Sequence, residues 1–177
     1  MMADDGRVAM NDGGATAGAE GGTLALDRFL PYRLSVLANT VSTTIARVYA
    51  RRFGLSVPEW RVMAVLGMAP PLTAGDICGR TAMDKVRVSR AVARLLRAGL
   101  VDRRVDQGDR RRAFLTLSRK GRRVYGEIIP LALDAEAQLV AALGADELRQ
   151  LDALIAKLQA RADALARRDG LGFVGED

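Results

Sequence analysis

The sequence predicts a mainly α-helical protein with one small β-hairpin set into its middle. Three observations carry that prediction. Aliphatic residues recur at spacings of three and four over long stretches near both ends of the chain. Between these stretches lie short apolar segments bounded by helix-start and helix-stop residues. Two β-forming runs then flank the turn Asp106-Gln107-Gly108-Asp109. Composition agrees: of 177 residues, 49% are hydrophobic but only 5% aromatic, which favours helices packed through aliphatic side chains.

Residues 1–22 hold six glycines and little periodic apolar character, so they read as a disordered N-terminal tail. From Leu24 to Phe53 the pattern is helical, with Leu34, Leu37, Val41, Ile45 and Val48 on one stripe. Pro31 is tolerated in a first turn, and Gly54 is the stop. A helix of about thirty residues is long for a globular domain and suits a dimer interface. Ser56-Val57-Pro58-Glu59 has the form of a capping box with Pro in the first turn, opening a second helix to about Met68. Ala69-Pro70-Pro71-Leu72 breaks it. Thr73 with Asp76 opens a short third helix to about Arg80, and Thr81-Ala82-Met83-Asp84 forms the next turn and cap. A fourth helix runs from Lys85 to Ala98 and stops at Gly99.

Leu100–Val105 and Arg112–Leu117 read as strands of a hairpin whose tip carries Arg110, Arg111 and Arg112. Ser118 caps a long helix over Arg119–Leu143, in which Pro130 predicts a bend. Gly144 and Asp146 open the last helix, whose apolar stripe is Leu148, Leu151, Leu154, Ile155, Leu158, Ala162 and Leu165. Residues 169–177 are Gly-rich and read as a flexible C-terminal tail.

Charge is concentrated. The net charge is +6, from 27 Lys/Arg and 21 Asp/Glu. Residues 76–122 hold 14 Lys/Arg and 5 Asp/Glu, a net of +9, which leaves about −3 for the rest. That focus is the electrostatic footprint expected of a nucleic-acid-binding segment. One cysteine, Cys78, and no histidine leave no intrachain disulfide, no Cys/His metal site and no His-dependent nucleophile. The sequence shows no clustered carboxylates and no phosphate-cradling glycine loop, so no catalytic residue, metal or cofactor is expected. No apolar run reaches the roughly 18 residues of a membrane span, and a cytoplasmic location is expected.

A helix that reads the major groove needs basic and short polar side chains on its exposed face. The fourth helix offers Lys85, Arg87, Ser89, Arg90 and Arg94, with Val88, Val92, Leu95 and Leu96 on the opposite face. By itself this is equally a solvated basic face. The arginine-rich hairpin tip tips the balance, because adjacent arginines repel one another in a free protein and suit an electronegative minor groove. A basic helix followed at once by a basic hairpin tip is a winged helix-turn-helix for double-stranded DNA, flanked by a helical dimerisation region. An architectural, nonspecific DNA binder without an effector shares these features and is the alternative; random DNA bound as tightly as the promoter of its own gene would favour it.

The stretch Asp109-Arg110-Arg111, Leu117-Ser118 and Gly121 resembles the wing signature of the multiple-antibiotic-resistance regulator (MarR) family: Asp-x-Arg, five residues, then Leu-Thr-x-x-Gly. Ser118 stands where Thr is usual, and both cap helices. Met83–Arg90 is similar to the family's recognition-helix entry, and Pro58-Glu59-Trp60-Arg61-Val62 to its second helix. The likeness covers about residues 24–168. It implies an obligate homodimer interlocked through residues 24–53 and 118–168, with residues 55–117 as the DNA-binding domain on one half of a palindromic operator. It implies Arg111 in the minor groove oriented by Asp109, and Arg110 and Arg112 on phosphates or at the tip. Base readout would fall to Arg87, Ser89 and Arg90, with Lys85 and Arg94 nearer phosphates.

The resemblance also implies a ligand-responsive regulator, since many members respond to small aromatic or phenolic acids or to oxidants. A repressor released by a small aromatic acid is the expectation, and activation on ligand binding is the open alternative. Oxidant-sensing relatives use a cysteine in the first helix. Cys78 is not there, and reads as a small hydrophobe. A polar stripe of Tyr32, Ser35, Asn39 and Ser42, with Arg33 beside it and Trp60 and Arg61 on the second helix, suits an aromatic carboxylate or thioester. The same stripe equally suits a dimer contact with Trp60 in the core.

Overall fold

The structure is a computed structural model that describes residues 24–68, 71–109 and 112–168. The two tails expected at 1–22 and 169–177, and the wing-tip residues Arg110 and Arg111, lie outside the described residues. The chain divides into two units, residues 1–37 and 38–177.

In the first unit a turn at 26–28 leads into helix α1 (Leu30–Phe53). The helix starts six residues later than the apolar pattern predicts. Pro31 accounts for this: its ring would clash with the carbonyl four residues back, and it has no N–H to continue the ladder. The turn closes instead through Phe29 N–H to the Ala25 carbonyl at 3.1 Å. Leu30, Leu34 and Leu37 on this part of α1 are exposed.

The second unit continues α1 and adds α2 (Val57–Met68), α3 (Ala74–Thr81), α4 (Lys85–Arg97), β1 (Val101–Val105), β2 (Ala113–Leu117), α5 (Arg119–Val140) and α6 (Ala145–Arg168). Its core is aliphatic, as composition predicts. Val62, Met63 and Leu66 of α2, Ile77 of α3, Val88 and Leu95 of α4, and Ile128 of α5 are all buried. Leu115 and Leu117 of β2 and Tyr49 of α1 belong to the same core.

The local signals act as their chemistry requires. Thr73 and Asp76 form a complete capping box: Thr73 N–H donates to Asp76 Oδ2 at 2.8 Å, and Asp76 N–H to Thr73 Oγ1 at 3.2 Å. Asp84 Oδ1 caps α4 by accepting from Arg87 N–H at 2.7 Å. At the start of α2, Glu59 Oε2 accepts from Ser56 N–H at 2.7 Å.

β1 and β2 pair antiparallel, in register from Val101–Leu117 to Val105–Ala113. Leu72 adds a bridge to Leu115, with N–H···O distances of 3.2 and 2.8 Å. This bridge ties the hairpin to the entry of α3. Ser118 joins the hairpin to α5: its Oγ accepts from Gly121 N–H at 2.9 Å and donates to the Gly99 carbonyl at 2.7 Å. A Cβ at Gly121 would overlap the Leu100 carbonyl, so this helix can enter here only as glycine. A Cβ at Gly67 would meet the far end of the Tyr125 ring, so a larger residue there would displace that side chain rather than backbone.

α5 ends at Val140, earlier than predicted, and the chain direction changes by 107° before α6. Pro130 lies inside α5 without ending it. α6 buries no residue: Leu151, Leu154, Ile155, Leu158 and Leu165 of the predicted stripe are exposed. Among the described residues, no single helix is long and apolar enough to cross a membrane.

Candidate nucleic-acid interface

The sequence of α4 alternates so that one helix carries two opposed faces. Val88, Ala91, Val92 and Leu95 are buried against the core. Lys85, Arg87, Ser89, Arg90 and Arg94 are exposed. The turn before it is sharp because Ala82 adopts a left-handed conformation, φ 50°, and Thr81 Oγ1 donates to the Ile77 carbonyl at 2.7 Å to close the end of α3. These contacts fix α4 across α3 and present its N-terminal half outward.

Two of the α4 arginines have carboxylate partners. Arg87 Nε lies 3.4 Å from Asp84 Oδ2, an exposed pair that solvent screens. Arg94 Nη1 lies 3.7 Å from Oε1 of Glu59, which is 6% exposed. Ser56, Glu59, Arg87, Arg90 and Arg94 line a shallow cleft of about 150 Å³ between the start of α2 and α4.

The wing continues the basic surface. Arg112 is exposed, with its guanidinium 5.6 Å from the Phe114 ring centre, and its N–H donates to the Asp109 carbonyl at 2.9 Å. Sequence reasoning passed over Arg103 and Arg104, which it read only as strand residues. Both are exposed on β1, beside a cleft of about 340 Å³ that Phe114 and Thr116 also line. The available signal was that Arg103 and Arg104 are consecutive strand residues, so their side chains project to opposite faces and carry positive charge along the wing.

The expected effector residues are divided between the two units. Tyr32, Arg33 and Ser35 are exposed in the first unit. In the second unit Asn39 is exposed, and Arg61 donates from Nη2 to Ser42 Oγ at 3.2 Å. Trp60 is half-buried between two tyrosines absent from the sequence reading, its ring centre 5.5 Å from Tyr49 and 5.8 Å from Tyr125. Burial pushes the Tyr49 hydroxyl up to about 12, with the Arg61 charge opposing the rise. Cys78 is half-buried in α3, and desolvation raises its thiol above the ordinary value, so it stays protonated at neutral pH. No group of three or more His, Cys, Asp or Glu among the described residues could hold a metal ion.

A short capped helix, a second helix laid across it with a basic outer face, and a basic two-stranded hairpin define a winged helix-turn-helix of the DNA-binding class. Residues 53–112 match the MarR family. A MarR/EmrR family transcriptional regulator from Acinetobacter sp. ADP1 is 27% identical with a TM-score of 0.73, over 80% of this chain and 99% of that one. The PcaV transcriptional regulator from Streptomyces coelicolor, solved in complex with its natural ligand, is 26% identical with a TM-score of 0.65, over 80% and 99%. The homoprotocatechuate degradative operon repressor of Escherichia coli is 24% identical over 118 residues, 67% of this chain and 80% of that protein. Residues 53–112 thus carry a MarR family domain, and the fold is that of MarR-type DNA-binding transcription regulators.

Proposed function

We propose that the protein is a homodimeric repressor that binds a palindromic operator and is released by a small aromatic acid or its thioester. The observation that carries the DNA half is α4, buried on one face and basic on the other. Arg87, Ser89 and Arg90 read base edges. Lys85 and Arg112 meet phosphates, and so does Arg110. Arg111, oriented by Asp109, enters the minor groove. Residues 24–53 and 118–168 form the dimerisation region, and residues 55–117 the DNA-binding domain. The exposed leucines of α6 support a second copy as their cover. Half-sites then lie about 10–10.5 bp apart.

The effector half rests on chemistry in the second unit: the Trp60 ring between two tyrosines, with the Arg61 guanidinium on the same helix. Rings and a guanidinium suit an aromatic carboxylate. The names of the relatives agree, since one represses a homoprotocatechuate degradative operon. Release follows if the ligand prefers a dimer whose recognition helices no longer match the operator spacing.

Selection of duplexes from a random pool by the wild-type protein gives the probe. Arg111→Ala is expected to weaken binding to the selected duplex by tenfold or more, about 1.4 kcal/mol per tenfold, with the melting temperature unchanged. Arg87→Ala or Arg90→Ala is expected to relax base preference, by about 1–3 kcal/mol per lost bidentate pair. A loss equal on all sequences would make these residues phosphate contacts. A thermal-shift screen of aromatic acids and their thioesters, with each hit carried into a gel-shift assay, tests the effector.

A further inference from the structure

Glu59 is the one buried carboxylate among the described residues, and it lies under the basic face that approaches DNA. A negative charge there opposes phosphate, so it needs partners of its own. It has two: Ser56 N–H at 2.7 Å, and Arg94 Nη1 at 3.7 Å. Arg94 follows Arg87 and Arg90 on the same face of α4, and its side chain is 66% exposed. The family resemblance implies that it lies near phosphates. The structure instead gives it a carboxylate anchored to the start of α2.

We infer that Glu59 withholds Arg94 from the DNA backbone, which makes Arg94 a positioning residue that ties α4 to α2 and lowers the protein's grip on nonspecific DNA. Phosphate contacts act on every sequence alike, whereas base contacts discriminate. Removing one cation from the backbone therefore lowers affinity for every duplex by the same factor, and lightens the hold on bulk DNA without changing which sequence is preferred. This rests on the reading of α4 as the recognition helix.

The test compares the salt dependence of binding to the selected duplex and to a random-sequence duplex of equal length. Each phosphate contact adds about 0.9 to the slope of log affinity against log salt. Arg94→Gln alone is expected to leave the slope unchanged. Glu59→Gln, which keeps the acceptor for Ser56 N–H, is expected to steepen the slope by about 0.9 and to tighten binding to random DNA, as the released Arg94 finds a phosphate. The double variant should return to the wild-type slope. Structural damage would weaken binding without steepening the slope, and a thermal melt of each variant checks folding. The inference is overturned if Arg94→Gln makes the slope shallower by about 0.9, or if Glu59→Gln leaves it unchanged. If Arg87→Ala and Arg90→Ala leave both duplexes bound as before, α4 does not touch DNA, and the recognition-helix reading fails first.

Discussion

Asp76 shows how a single side chain combines local structure with pH dependence. Hydrogen bonds from Thr73 hold its carboxyl below the ordinary carboxylate value. A depressed folded value means the stabilisation is complete above the unfolded value and is lost as pH falls through the folded one. The cap opens α3, on which α4 is seated. Thr73→Ala should therefore lower unfolding free energy by about 1 kcal/mol at neutral pH, and the gap between wild type and Asp76→Asn should shrink below the ordinary carboxylate range. Denaturant titrations at stepped pH measure both. These residues were legible in the sequence because a cap is a contact over three positions. Glu59 and Arg94 were not, because their meeting depends on how α2 and α4 cross. The cage around Trp60 was hidden for the same reason, its rings coming from α1, α2 and α5.

Among the elements, the hairpin and its exit into α5 are the most tightly specified. Register is fixed by the buried residues Val101, Leu115 and Leu117, since a slip by one position would turn them to solvent. Leu72 ties the hairpin to α3, and Ser118 with Gly121 ties it to α5. Gly121→Ala must move the Leu100 carbonyl or the start of α5. It is expected to destabilise the protein by at least about 1–3 kcal/mol, the usual range for overpacking, and to loosen the wing. A drop in melting temperature together with weaker DNA binding is the expected result; an unchanged melt would show that the helix entry can shift freely. The order of helices and strands was readable from caps, glycines and period. Element ends were less so: α1 begins at Leu30 rather than Leu24 because Pro31 overrides a continuing apolar pattern.

For the molecule as a whole, the buried residues gather in the winged segment and its neighbours, and α6 keeps its apolar stripe exposed. The sequence predicted that stripe, but periodicity cannot tell burial within a chain from burial between chains. The proposed dimer resolves the exposure. A paired Leu154→Glu and Ile155→Glu substitution places charge in both copies. Each buried Leu or Ile contributes about 1.5–3 kcal/mol, so dissociation should rise by on the order of a hundredfold or more. Sedimentation velocity would show the shift to monomer, and operator affinity should fall with it. A species that sediments as before would remove α6 from the interface.

Trp60 is the single tryptophan of the chain, and its position between Tyr49 and Tyr125 makes it an optical probe supplied by the protein itself. Both tyrosines lie within 6 Å of the indole, ring centre to ring centre, close enough to pass excitation to it. Light absorbed by either phenol therefore emerges as indole emission. Anything that reseats α2 against α1 or α5 changes that transfer. The protein can thus report the movement by which a ligand would release DNA, without a label and before any operator has been identified.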